Sequence, residues 1–171
     1  MEHIANIDAF AEPAAAEMRK GTPALRCGSA QLIVRGVLRL LASLDYRALT
    51  EFPLPNGRRV DIAALDGGGG FAIVEVKSSV ADFRADGKWP CYQAFCDSFY
   101  FAVDALFPLS VLPDDVGVIV ADGFQGVVVR PSPVRRLNGA RRRALLLRFG
   151  RAAAARLTLL QDPDGGMAER G

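Results

Sequence analysis

Apolar residues recur every three or four positions early in the chain. Ile33, Val37, Leu40, Leu41 and Leu44 fall on one face, while Arg35 and Arg39 lie elsewhere. This spacing predicts a helix ending near Leu44, and Gly28 and Ser29 can cap its start. The period then drops to two. Residues 47–54, 58–65 and 71–78 read as strands, separated by Pro55-Asn56-Gly57 and by the glycines at 67–70. A helical pattern follows over 80–97, with an interruption before Pro90 left open. Residues 98–103, 117–121 and 126–130 read as three more strands. A last helical region covers 137–160, with Gly150 as its one candidate break. Residues 1–22 read as a flexible arm, 23–160 as one domain, and 161–171 as a disordered tail.

The second and third strands carry the candidate chemistry. They read RVDIAAL at 59–65 and IVEVKSS at 73–79. Side chains alternate faces along a strand, so Phe71, Ile73, Glu75 and Lys77 share one side. Pairing Leu65 with Phe71 and Ala63 with Ile73 brings Asp61 opposite Glu75. It also stacks Val60 on Val76 and Ile62 on Val74. A one-residue slip spoils both faces. Two opposed acids repel each other, which is reasonable where a cation lies between them. Oxygen ligands of this kind suit Mg²⁺ or Mn²⁺, and the Val76 carbonyl can add a third. Lys77 can orient a water or balance charge on a phosphoryl group. Metal-assisted phosphodiester hydrolysis needs those roles, at an open edge that an ion can enter. The competing reading is an ordinary exposed sheet face with salt bridges.

Charge and composition narrow the field. Nine of the 21 basic residues are arginines between Arg130 and Arg156, a stretch without an acid. The remaining 12 basic residues stand against 19 acidic ones. Such a block suits a polyanion such as DNA, or simply a solvated helix face. The single histidine, His3, leaves little room for histidine-based catalysis. No apolar run is long enough to span a bilayer, and the N-terminus does not read as a secretion signal. Cys27, Cys91 and Cys96 have no metal-binding spacing and fit mostly buried thiols in a reducing cytoplasm.

The strings VRGVLRLL at 34–41, LTEFPL at 49–54, VEVKSS at 74–79, ADFRADGKW at 81–89 and CDSFYFAV at 96–103, with FP at 107–108, resemble the MmcB-like DNA repair proteins of bacteria. Asp61 and the Glu75-Val76-Lys77 run are similar to the signature of the wider PD-(D/E)XK nucleases. The resemblance covers about residues 28–157. It implies an α/β, restriction-endonuclease-like fold, with a central mixed β-sheet flanked by helices. It also implies a role in DNA repair and a metal-dependent nuclease activity. One departure stands out. Superfamily members often carry a glutamate on the first helix, where this chain has Gln31. Glu51 is the nearest substitute ligand, or else it merely flanks the turn at Pro53. A non-catalytic DNA-binding or adaptor module is therefore the alternative.

Three further residues follow from the same resemblance, and others from their positions. Lys88, Trp89 and Tyr92 match a motif that superfamily members place near the active site. Lys88 can contact a phosphate, and Trp89 can stack on a base or pack in the core. Ser78 and Ser79 are expected to cap the following helix, with contact to a phosphate as the alternative. Asp97 is expected to bind backbone or a basic partner rather than a metal. Arg141, Arg148 and Arg151 fall near one helical face and can track phosphates. Partners are DNA and, with repair, other repair proteins. Oligomeric state stays open, with a dimer among the options.

Overall fold

The computed structural model describes residues 30–164. The arm at 1–22, the expected caps Gly28 and Ser29, His3, Cys27 and the tail from 165 lie outside the described residues. Six strands form one sheet in chain order: β1 (Arg47–Pro53), β2 (Arg59–Leu65), β3 (Phe71–Val76), β4 (Ser98–Val103), β5 (Gly117–Ala121) and β6 (Gly126–Arg130). β1, β2 and β3 pair antiparallel, β3, β4 and β5 pair parallel, and β6 returns antiparallel. The mixed sheet lies between helical layers, as a restriction-endonuclease-like α/β fold requires.

Helix α1 (Ala30–Ser43) covers one face, where Ile33, Val37 and Leu41 meet Ile62, Val74, Tyr100 and Ile119. Its approach is close because position 36 is glycine. A Cβ there would lie 2.2 Å from the Asp122 carbonyl oxygen. The opposite face packs Phe71, Ile73, Phe99 and Phe101 beneath helix α3 (Gly139–Gln161) and the intervening short helices. Phe149 of α3 stands 5.7 Å from both Phe52 and Phe71, ring to ring. Phe99, Tyr100, Phe101 and Phe107 are all buried, as their aromatic pattern suggests, while Phe95 is partly buried. α3 runs unbroken through Gly150 and is capped by the Asn138 side chain.

The region over 80–97 is interrupted before Pro90, the option its sequence left open. It holds a six-residue helix, α2 (Val80–Ala85), and then a 3₁₀ helix (Trp89–Phe95). Gly87 and Pro90 divide what the apolar spacing joins. Cys96 is buried, but Cys91 is exposed, contrary to expectation.

The β1–β2 ribbon has a crease. Glu51 holds a left-handed backbone with φ 49°. Before it, Leu49 and Ala48 alternate between the two layers. After it, Phe52 joins Leu49 on the α3 side, and Val60 on the facing strand does the same. Asp61 therefore sits where both strands change sides.

Candidate active site

β2 and β3 adopt the register expected from their patterning, with Ile62, Ala63, Ala64 and Leu65 opposite Val74, Ile73, Ala72 and Phe71. The main-chain ladder stops at Ile62 and Val74. Beyond it, carboxylates take over the backbone bonds. The Val76 N–H donates to Asp61 Oδ2 at 2.8 Å, and the Asp61 N–H donates to Glu75 Oε1 at 3.2 Å. Each acid thus keeps one oxygen uncommitted by these bonds. The pair lies at the carboxyl end of β3, the end where open α/β sheets place ligands.

Lys77 joins them. Its Nζ is 3.9 Å from Glu75 Oε2 and 2.5 Å from Asp86 Oδ2. The lysine is anchored through its amide, which donates to the Ala102 carbonyl at 2.8 Å. Asp86, just past α2, is the member that sequence reasoning missed. An Asp four residues after Asp82 reads as helix decoration, although Gly87 just beyond it is a helix-stop signal. Ser79 caps α2 by accepting from the Asp82 N–H, as expected, and Asp82 accepts in return from Ser78.

The expected open edge is only partly found. Glu75 and Lys77 are each 5% exposed, and Asp61 and Asp86 are half-buried. Glu75 and Lys77 thus do not form an exposed, salt-bridged sheet face either. Burial, then the charge on Asp61, pushes the Glu75 carboxyl up to about 8. Burial also raises Asp61, against the bond from Val76. Asp86 shifts the other way: despite partial burial, the hydrogen bond from Lys77 holds it below the ordinary carboxylate range.

These facts bear on a divalent ion. The donors are hard carboxylate oxygens, and both acids are strained toward protonation, which a nearby cation relieves. Asp61 and Glu75 fit Mg²⁺ or Mn²⁺ in that respect. Among the described residues, no group of three or more acidic, histidine or cysteine side chains forms a metal cluster. Glu51 lies across from Asp61, between the pairs Thr50–Ile62 and Phe52–Val60, but its exposed carboxylate is ion-paired with Arg59. Val76 ends β3 between Glu75 and Lys77, with its amide committed to Asp61.

The residues expected at DNA are spread over the molecule. Lys88 is exposed, and its amide donates to Asp86 Oδ1 at 3.0 Å. The Trp89 ring stacks on Phe99 at 5.7 Å and meets the edge of Phe101 at 5.4 Å. That packing commits one ring face to the core, in line with the packing alternative for Trp89. Tyr92 is buried, and burial, then the charge on Glu75, raises the pKa of its hydroxyl. Arg141, Arg148 and Arg151 are exposed on α3. Arg141 bonds the Ala94 carbonyl at 2.7 Å and lies over Phe95, at the end of α3 away from Arg148 and Arg151. Arg148 reaches the Pro53 carbonyl at 3.4 Å, beside the crease. Asp97 is a structural hub, as expected. It accepts from Phe71 and Leu137 amides and pairs bidentately with Arg142. Among the described residues no helix is long and apolar enough to cross a membrane.

Fold and site together define an α/β domain with paired carboxylates and a lysine at the end of a central strand. A family model described as DNA repair protein MmcB-like matches residues 17–164, and the chain belongs to that family of DNA repair proteins. A solved structure is also similar: the SPO1766 protein of unknown function from Silicibacter pomeroyi. It is 40% identical, with 85% of this chain and 99% of that chain covered and a TM-score of 0.77. No curated protein matches the chain.

Proposed function

We propose that the protein is a metal-dependent nuclease that hydrolyses DNA phosphodiester bonds during repair. The observation that carries this reading is the exchange between β2 and β3. It replaces two backbone bonds with two carboxylates, Glu75 buried and Asp61 half-buried, and leaves Lys77 3.9 Å from Glu75. Asp61 and Glu75 are the ligands for Mg²⁺ or Mn²⁺, with the Val76 carbonyl and Glu51 as additional oxygens. When bound, the ion supplies a Lewis acid for a phosphoryl oxygen and a water of lowered pKa. Asp61 and Glu75 hold their positions through each other's strands. Lys77 has three ammonium protons, and Asp86 takes one; the others serve a water or the phosphate. Lys88, Arg148 and Arg151 contact the DNA backbone. Arg141 is a more distant phosphate contact, and Trp89 and Tyr92 act by packing.

A panel of single-stranded, duplex, flap and branched DNA, with matching RNA, tests the proposal in Mg²⁺ or Mn²⁺. Asp61→Ala and Lys77→Ala should each lower the cleavage rate at least about 100-fold. Retained cleavage in both purified, folded variants would refute it. A second reading, a non-catalytic DNA-binding or adaptor module, draws on the 5% exposure of Glu75 and Lys77 and on the tight Lys77–Asp86 pair. It requires DNA binding without cleavage anywhere on the same panel.

A further inference from the structure

We infer that Asp86 is a positioning residue: it draws the Lys77 ammonium off Glu75 and so keeps a Glu75 carboxylate oxygen open to a divalent cation. This role rests on the reading of Asp61 and Glu75 as metal ligands.

One ammonium stands between two carboxylates. Lys77 Nζ is 2.5 Å from Asp86 Oδ2 and 3.9 Å from Glu75 Oε2, and no other acid pairs with it among the described residues. The lysine is 5% exposed, so its charge needs a partner inside the protein. Attraction falls with distance, and the nearer carboxylate holds it. Glu75 Oε1 already accepts the Asp61 N–H. Oε2 is therefore the oxygen that Glu75 can offer a cation, and it is the one that the lysine would occupy. A divalent ion also repels an ammonium beside it, and Asp86 gives that ammonium a separate counter-charge.

Asp86 is fixed on three sides. Phe83 seats α2 on the sheet, its ring edge-on to Phe101 with centroids 5.3 Å apart. The Asp86 N–H closes the end of α2 on the Phe83 carbonyl at 3.2 Å. Asp86 Oδ1 accepts from the Lys88 amide at 3.0 Å, which leaves Oδ2 for the lysine. Lys77 is fixed at its root, because its amide donates to the Ala102 carbonyl of β4. Its flexible stem leaves the ammonium end free to choose between the two acids. With the Asp86 charge removed, Glu75 is the carboxylate that remains in reach.

A double-mutant cycle at positions 77 and 86, read by calorimetric titration with Mn²⁺ alone, tests this without reference to cleavage. Asp86→Asn keeps an acceptor for the Lys88 amide. It should weaken Mn²⁺ binding about tenfold or more, the scale of one charge-assisted hydrogen bond. In a Lys77→Met background the same change should alter affinity by no more than about twofold, because no ammonium is left to occupy Glu75. A crystal structure of Asp86→Asn in EDTA should place Lys77 Nζ within hydrogen-bonding reach of Glu75 Oε2. An equal loss in both backgrounds would mean that Asp86 acts as a ligand or by its charge alone, and would overturn the inference. So would undiminished binding by Asp86→Asn, or a lysine that stays off Glu75. Should Asp86→Asn alone fail to fold, the comparison in the Lys77→Met background decides. A wild-type chain that takes no Mn²⁺, in which Asp86→Asn still moves the lysine onto Glu75, would sink the metal-ligand reading and leave Asp86 as the residue that places Lys77.

Discussion

Replacing Glu75 by glutamine should stabilise the metal-free protein, and by an amount that grows with pH. The Glu75 carboxyl is pushed up to about 8 by burial and by Asp61, from an ordinary value of 4.5. Folding therefore favours the protonated acid. That stabilising contribution is whole below pH 4.5 and is lost as pH rises through 8. At about 1.4 kcal/mol per unit, about 3 kcal/mol is gone by pH 7 and about 5 kcal/mol by pH 9. Glutamine keeps an oxygen to accept the Asp61 N–H, and Lys77 keeps Asp86. Glu75→Gln should thus match the wild type near pH 4, exceed it by about 3 kcal/mol at pH 7, and gain further at pH 9. Urea unfolding in EDTA at those three pH values measures the difference, with m-values expected to agree. Adding Mg²⁺ at pH 8 should raise the wild-type midpoint and leave the variant unmoved. A variant that is no more stable at pH 9, or whose advantage does not change with pH, would refute the electrostatic account.

Two further perturbations probe the scaffold. Asp97→Asn should cost about 2–4 kcal/mol, because it leaves the partly buried Arg142 without its counter-charge. Partial burial opposes ionisation of Asp97, but Arg142 and two amides win and hold its carboxyl low. Its contribution is therefore present above the ordinary aspartate pKa and fades as pH falls through the lowered one, so the gap in urea midpoints should narrow in acid. Gly36→Ala should destabilise by more than about 2 kcal/mol despite alanine's better helix propensity, since the new Cβ meets the Asp122 carbonyl at 2.2 Å. Thermal unfolding should show it, and an unchanged or raised midpoint would mean that α1 can shift freely.

What the sequence discloses depends on how far apart the interacting residues lie. The β2–β3 register was readable because both faces are patterned from Ile62 to Leu65 and from Phe71 to Val74, so a slip would misplace Ile62, Ala64, Ala72 and Val74 together. Val60 and Val76, expected to stack, instead pack in opposite layers because the strand changes sides at Asp61. That register brought Asp61 to Glu75. Lys77 followed by parity alone. Asp86 was not readable, because it acts through a partner in another element, Lys77. The break in the helical region over 80–97, which the sequence left open, was masked for a related reason. Val80, Phe83, Trp89 and Tyr92 all pack on the same core, so their spacing mimics one helix although Gly87 separates two short ones. Burial of Glu75 and Lys77 was hidden for the same cause, as it depends on the short helices folding back over β3.

The left-handed residue in β1 has its own implication. Glycine fits such a backbone without steric cost, whereas glutamate there carries strain on the order of 1 kcal/mol or more. Position 51 thus trades conformational ease for a carboxylate opposite Asp61. Because the ribbon folds over at that point, its angle and the separation of the two acids form one mechanical coordinate. A partner that flattened or tightened the fold line would move Asp61 relative to Glu75 without touching either side chain.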